Sequence, residues 1–592
     1  MRRHLLAALA AVTLVVTACS GQLPTTPEPR AGLPVSQQSE REVERLLPPA
    51  PQDAGPVEIV EGFLRANEGF ASDDDVSRTY LTSELANSWV PTAAVMVYGG
   101  DATVSLTDDD EVSVQLEVIG RLDADGRLTE QVPQTSTQTF GLTEVDGANR
   151  ISTFPDDAGL WLSDTAFERA FRPTVLSYLN AQRDVFVPEL RWLADSEGLP
   201  TAITRAQLAP LPPHLEGALT TAATEEVRLA TPAVPVDPST LVATVNLQGA
   251  TLAQDDSRAD DLSSQLAHSL LGLSSVAGVD VQVAGQSLPL EGVEGPITGA
   301  TELPYTEVER EVAQVLLRVG EQLTVADPSQ YALRDLEPAE DVELPGVELR
   351  WTGLAVTEDL EDLAAVSVDG AAFRRWRGEQ VHTNEGIGDD LTPPGVDPQG
   401  AFWLGGVHRS SRTPRVWVVD ETRLDAVARP VEADWLEAED RIERVAISPD
   451  GSRVVMVVGP TVGQDAQEPP PHRLLLSGIV RDASGRPREL TAPLPLVPHL
   501  RDVVAAHWSA AGELVIVGQR QDDTEPQPFR LELGGWLQHL GSLPGLVDAV
   551  PVPRATGVQV IARTEDGGVY VPEGQSGWQP VRNGDQVVVP GD

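Results

Sequence analysis

The sequence predicts a multidomain chain with an α+β N-terminal domain, a small α/β domain and a C-terminal all-β propeller of about five or six irregular blades. Three observations predict it. At 592 residues the chain exceeds the roughly 250–300 at which a single hydrophobic core stops growing, and its 41% hydrophobic content is enough to pack several cores. A β-branched run, Leu241 to Leu247, leads into leucines at helical spacing and then into a second alternating run. From about Glu291 onward, a phrase recurs in which an apolar strand enters an acidic or polar turn with glycine and leaves as a second strand.

At the N-terminus, Arg2 and Arg3 precede twelve apolar or small residues, Leu5 to Val16, that end in Val16-Thr17-Ala18-Cys19. As a helix this stretch reaches only about 18 Å, against about 30 Å for a bilayer core, so it reads as a signal peptide, residues 1–18, rather than a span. Lipoprotein processing asks for an aliphatic residue three positions before a cysteine, small residues at the cut and a thiol to receive the diacylglyceryl group. Val16, Thr17, Ala18 and Cys19 meet each demand. The simpler alternatives are an ordinary secretory signal or a buried cysteine acting as a small hydrophobe. Cys19 is the single cysteine of the chain, so it has no intramolecular disulfide partner, and secreted proteins avoid idle thiols. The expectation is a lipidated Cys19 holding the protein on the extracytoplasmic face of the cell membrane, where two or more acyl chains anchor stably and one does not.

Charge narrows the partners. Forty-two basic and 90 acidic residues leave a net charge of −48, which opposes a nucleic-acid surface and electrostatic adsorption to anionic lipid. An acidic exterior suits cationic ligands, but it equally suits plain solubility. All 42 basic residues are arginine, which removes Schiff-base lysines, Ser-Lys dyads and a Walker-loop lysine.

Residues 19–55 read as a Pro-rich tether, carrying Pro24, Pro27, Pro29, Pro34, Pro48, Pro49 and Pro51. The N-terminal domain, 56–170, opens at Pro56, a good first helical residue, with Val57, Val60 and Leu64 at helical spacing. Val76, Tyr80, Leu81, Leu85 and Trp89 predict a second helix. Alternation at Val112, Val114, Leu116 and Val118 then predicts a small antiparallel sheet, with Asp123-Ala124-Asp125-Gly126 as a hairpin turn. Asp123 and Asp125 also permit a calcium reading, but the rest of an EF-hand loop is missing.

Within residues 171–290, Leu262, Leu266, Leu270 and Leu271 mark the helix, and Val276 to Gly285 a loop, strand and turn. The string from Val242 to Gly285, with Gln265 in the helix and its Val-x-Gly-Val-x-Val-x-Val-x-Gly ending, resembles the GerMN domain of sporulation and germination proteins. Phe186-Val187-Pro188-Glu189-Leu190-Arg191 looks like that domain's first strand and exit. The resemblance implies a binding or assembly module without catalysis. Gln265 and His268 are expected on a solvated helix face with no ligand role.

In residues 291–592 the clearest phrase is Val445 to Val457, turning at Ser448-Pro449-Asp450-Gly451. Others run through Ala365 to Gly370, Ala506 to Ile516 and Ile561 to Gly567, with a degenerate copy from Phe402 to Val419. Repeats of roughly 40–60 residues, each able to form one antiparallel sheet, predict propeller blades, and the Ser-Pro-Asp-Gly turn resembles TolB-type blades. Asp450 and Gly451 are read as turn residues, and Glu307 to Val325 as either helix or strand.

Some propellers carry hydrolase or metal-dependent lactonase sites, so an enzyme is the rival class. The nine histidines are scattered, His-Glu-x-x-His is missing, and Gly285-Gln286-Ser287-Leu288-Pro289 lacks the second glycine of a nucleophile elbow. Asp73-Asp74-Asp75 and Asp108-Asp109-Asp110 read as solvated loops. No catalytic, cofactor-binding or metal-ligating residue is assigned, and no cofactor is expected.

Lipobox, helical-then-β domain, GerMN-like domain and degenerate propeller, in that order, resemble the actinobacterial LpqB lipoprotein family over essentially the whole chain. That resemblance implies a partner, the extracytoplasmic domain of an MtrB-like sensor histidine kinase, whose signalling to MtrA the protein modulates, with effects on cell-wall homeostasis and division. The alternatives are a scaffold that binds cell-wall polymer and a propeller hydrolase.

Overall fold

Pro56 opens helix α1 (Pro56–Asn67), where its missing N–H costs nothing and Glu58 accepts from the Gly55 N–H at 2.9 Å. The computed structural model that contains it describes residues 47–70, 75–107, 111–155, 159–249, 252, 256–288, 290–328, 344–460, 471–574 and 576–592. The lipobox, most of the tether, Asp73, Asp74 and Asp108 to Asp110 lie outside them. Leu47–Asp592 forms one compact unit, multidomain and mostly β.

Ile59, Val60, Phe63 and Leu64 of α1 are buried against a five-stranded sheet. Its strands are β1 (Ala94–Leu106), β2 (Val112–Asp123), β3 (Leu128–Val145), β4 (Ala148–Thr153) and β5 (Leu160–Ser163), in the order β4-β3-β2-β1-β5. β1 to β4 are antiparallel as expected, while β5 adds a parallel edge beside β1. Phe63, Phe140 and Trp161 form a chain of ring contacts, with centroids 6.4 and 5.1 Å apart.

The continuous second helix expected over Val76 to Trp89 does not form. The chain makes two short helices, α2 (Asp75–Arg78) and α3 (Ser83–Ser88). Between them β4 captures the backbone: the Thr82 N–H donates to the Ile151 carbonyl, and the Ile151 N–H to the Tyr80 carbonyl, both at 2.9 Å. Thr82 then caps α3 by accepting from the Leu85 N–H. Tertiary hydrogen bonding overrides the local 3.6 period.

Helix α4 (Asp164–Ala170), capped by Ser163, runs directly into β6 (Phe171–Asn180). β6 pairs with β7 (Val185–Ala194), so Phe186 to Arg191 lie in the second strand of this domain, not the first. Helix α5 (Leu199–Leu208) follows, then β8 (Leu219–Thr220), β9 (Arg228–Leu229) and β10 (Val242–Gln248). Helix α6 (Asp256–Leu271) crosses from β10 to its parallel neighbour β11 (Gly278–Val283), burying Leu262, Leu266 and Leu270. β12 (Gln286–Ser287) pairs with β11, and β13 (Thr306–Glu307) returns to lie parallel to β7.

Six sheets form the propeller. Blade 1 joins β14 (Val315–Val319) and β15 (Gln322–Ala326) to the late strand Gln586–Val588, which settles the Glu307 to Val325 stretch as β. Blades 2 to 6 begin at Trp351, Gly395, Asp440, Leu500 and Leu546. Their recurring acidic turns have one physical basis: a carboxylate ties the turn backbone together. Asp369 accepts from the Ala371 N–H, Asp450 from the Ser452 N–H and Asp566 from the Gly568 N–H. The glycines beside them, 370, 451 and 567, sit at φ +64, +70 and +82.

Neighbouring blades approach closely. A Cβ at Gly395, in the first strand of blade 3, would lie 2.5 Å from the Val445 carbonyl oxygen of blade 4. Gly395→Ala is therefore expected to destabilise the propeller by about 1–3 kcal/mol, read as a lower urea midpoint.

Candidate functional site

The inner strand of each blade, the first strand in blades 2 to 6 and Gln586–Val588 in blade 1, faces the central channel, and three of them meet through charge. Arg444, His507 and Asp548 belong to the first strands of blades 4, 5 and 6. His507 Nδ1 lies 2.5 Å from Asp592 Oδ2, and Nε2 lies 2.9 Å from Asp548 Oδ1. Arg444 Nη1 approaches Nε2 at 2.9 Å. Burial opposes charge on the ring, but Asp592 and Asp548 outweigh both burial and Arg444, and the His507 pKa is raised to about 9. Burial likewise opposes charge on Asp548, yet Arg444 and His507 hold its carboxyl well below the usual range. Asp592 is held low by His507, Arg310 and Arg444 against the same burial. An imidazolium donating from both nitrogens has no lone pair to accept a proton. The arrangement is a buried ion cluster that ties three blades to residue 592, beside a cavity of about 210 Å³.

Another cavity of the propeller, about 500 Å³, is acidic, with Glu309, Glu358, Asp359, Asp397 and Glu421 in its wall. Burial raises the Asp397 pKa although its carboxylate accepts from the Trp403 indole at 3.0 Å and the Ala401 N–H at 2.9 Å. Among the described residues no group of three or more His, Cys, Asp and Glu side chains is placed to hold a metal.

The third site is the junction of all three domains. From the propeller, Arg453 Nη1 donates to the Pro188 carbonyl of β7 at 3.1 Å, and Gly478 N–H to the His214 carbonyl at 2.9 Å. The Trp192 indole of β7 donates to the Gly534 carbonyl at 2.9 Å, and the Leu537 N–H to Glu130 of β3 at 2.8 Å. Trp536 meets Phe167 of α4 edge-on at 6.1 Å. A cavity of about 210 Å³ lies among these contacts, walled by all three domains. Burial, then Arg127, Arg191 and Arg453, depress the His214 pKa to about 3. Burial raises Glu189 even though Arg191 Nη2 sits 2.8 Å from its carboxylate.

Of the residues singled out in the sequence, Val16, Thr17, Ala18 and Cys19 lie outside the described residues. Asp123 and Asp125 occupy a hairpin turn: Asp123 Oδ1 accepts from the Asp125 and Arg127 N–H groups at 2.9 and 2.8 Å. Asp450 and Gly451 are turn residues as expected, but Asp450 is also fully buried beneath Arg453 at 2.8 Å. Gln265 and His268 correct the expected solvated face. Gln265 is buried, accepting from the Ala222 N–H and donating to the Ser177 carbonyl, both at 3.0 Å. His268 stacks on Phe186 at 4.2 Å and contacts the Ser177 hydroxyl at 2.7 Å. A polar side chain whose partners are distant in sequence reads as solvated until the fold supplies them. The channel cluster and the junction arginines were not anticipated; position in a blade's first strand was the one available signal for Arg444, His507 and Asp548.

Three family descriptions match in the order of these domains: "Lipoprotein LpqB, N-terminal domain" over residues 48–168, "Sporulation and spore germination" over 175–289, and "Lipoprotein LpqB beta-propeller domain" over 334–590. The chain is 25% identical to Lipoprotein LpqB of Cutibacterium acnes, covering 98% of this chain and 97% of that one. It is 26% identical to Lipoprotein LpqB of Thermobifida fusca, covering 92% of each. Lipoprotein LpqB of Streptomyces coelicolor is also 26% identical, over 95% of this chain and 94% of its own length. A chain of Kuenenia stuttgartiensis hydrazine synthase matches 45% of this chain and 78% of its own at 14% identity and a TM-score of 0.31, too distant to carry an argument.

Proposed function

Because the chain belongs to the LpqB lipoprotein family, we propose that it is a lipid-anchored extracytoplasmic protein that binds and modulates an MtrB-type sensor histidine kinase. The observation that carries this reading is the three-domain junction. Hydrogen bonds from β3, β7 and the propeller converge there, so a partner seated on one domain meets a body whose parts are held in register. Such a body can favour one kinase conformation over another, and the shift equals its difference in affinity for the two. The channel favours binding over catalysis, because its histidine is spent on Asp592 and Asp548.

Anchoring rests on Cys19. Cys19→Ala is expected to move the protein from the membrane fraction to the medium, or to leave it unprocessed with its N-terminal segment intact. Mature, detergent-extracted protein in wild-type amounts would refute lipidation. Kinase binding is tested by calorimetric titration of the soluble chain from Ser20 to Asp592 against the kinase's extracytoplasmic domain. Saturable heat supports the proposal. Silence at several temperatures with both proteins folded rejects it, and cosedimentation with peptidoglycan then tests the cell-wall scaffold.

A further inference from the structure

We propose that the cavity at the three-domain junction is a binding site for a small carboxylic acid with an apolar body, held as its monoanion. This proposal does not rest on kinase binding. Two independent observations converge on it.

The first is the space and its walls. The cavity measures about 210 Å³, where one ordered water needs roughly 10–15 Å³, and leucines such as Leu190, Leu494 and Leu533 supply much of its wall. Along these leucines water finds no partners, whereas a hydrocarbon body finds dispersion contacts and leaves bulk solvent.

The second is the set of polar atoms around it. Arg127 Nε, Arg191 Nη1, Arg453 Nε, Glu189 Oε2 and both ring nitrogens of His499 are shielded from solvent and lack a hydrogen-bond partner among the described residues, Arg127 Nε and His499 Nε2 having only long contacts, 3.8 Å to Glu189 and 3.5 Å to Glu130, and all five residues wall this one cavity. Arg191, Arg453 and His499 are each more than nine-tenths buried. Native proteins seldom leave buried donors unmatched, because each gives up its hydration with nothing in return. The imbalance also has a sign. Three guanidinium nitrogens stand against one carboxylate oxygen, with the neutral imidazole adding one donor and one acceptor, so the missing partner is rich in acceptors. Burial is the first cause of the depressed His214 pKa, and the same three arginines add to it. Each of the three arginines already has a carboxylate beside it, Arg127 beside Asp125 and Glu189, Arg191 beside Glu189 and Arg453 beside Asp450, so a dianion such as phosphate is disfavoured and the unmatched N–H groups call for no more than a single negative charge. A carboxylate directed at Arg127 and Arg191, with its chain among the leucines, satisfies both halves.

The test uses octanoate as the probe, titrated calorimetrically into the soluble chain from Ser20 to Asp592, with octan-1-ol and acetate as controls for body and head. The expected result is saturable one-site binding of octanoate, at least tenfold tighter than either control. Arg191→Gln should weaken it at least tenfold. Because that change also touches Glu189, Leu494→Phe is the second variant: it narrows the cavity from its apolar side, conserves the core character of the site and should weaken octanoate similarly. Absence of saturable binding to the folded wild-type chain overturns the proposal. So does equal affinity for octan-1-ol, or octanoate binding that Leu494→Phe leaves unchanged. The kinase titration, run without octanoate, reads the other function, so failure of one is distinguishable from failure of the other.

Discussion

Arg453→Met is expected to destabilise the propeller by about 3–5 kcal/mol, the usual cost of removing one partner from a buried ion pair. Arg453 and Asp450 are both shut off from solvent, 2.8 Å apart. The guanidinium also donates to the Pro188 and Ala511 carbonyls and lies over the Trp508 ring at 5.4 Å. Methionine fills much of the volume but leaves the Asp450 carboxylate with only the Ser448 hydroxyl and the Ser452 N–H. Urea unfolding checks this on the transition that includes blade 4, since a chain of several domains need not unfold in one step. Asp450→Asn placed on top of Arg453→Met should recover part of the loss, because it removes the orphaned charge. If the single variant costs less than about 1 kcal/mol, the pair does not fasten blade 4. Limited proteolysis should also quicken near Pro188, because the same side chain spans two domains.

Between pH 6.5 and 9 the propeller is expected to lose on the order of 3 kcal/mol of stability, and His507→Gln is expected to remove most of that slope. The folded ring holds its proton up to about pH 9, whereas an unfolded histidine releases it near 6.5. In that window the folded state binds more protons, so the stabilisation is complete below about 6.5 and is lost as pH rises through 9. Some slope remains in the variant, because Asp502 raises His472 in the same direction. The depressed carboxylates of Asp548 and Asp592 act at the opposite end: their contribution is present above the ordinary aspartate range and is lost as pH falls below it. Thermal midpoints measured at half-unit pH intervals decide the matter. A wild-type profile flat from 6.5 to 9 would show that His507 is not held as an imidazolium.

What the sequence disclosed follows from how local each signal is. Strand, helix and strand from Val242 to Val283 were legible because apolar alternation and leucine spacing need no distant partner. The blades were legible because each acidic turn ties its own backbone within a few residues. The break at Leu81 was hidden, since it depends on a bridge to Ile151. Gln265 was hidden for the same reason, with partners at Ala222 and Ser177. His507 reaches across 85 residues to Asp592 and 41 to Asp548, separations at which a lone histidine looks like any other. The small strand Gln586–Val588 carries no turn phrase, and only its pairing with β14 reveals it as the missing strand of blade 1.

That pairing sets an order of events during synthesis. The ribosome makes Val315 to Ala326 early and Gln586 to Val588 some 270 residues later, yet the two must lie side by side, Leu317 opposite Val587. Until the late strand emerges, β14 has an open edge, and an open edge recruits whatever strand is nearby. The nascent ring therefore passes through a period in which five blades can be complete while the seam remains sticky, the interval in which a chaperone has most to protect. A stop codon just ahead of Gln586 would make that interval permanent.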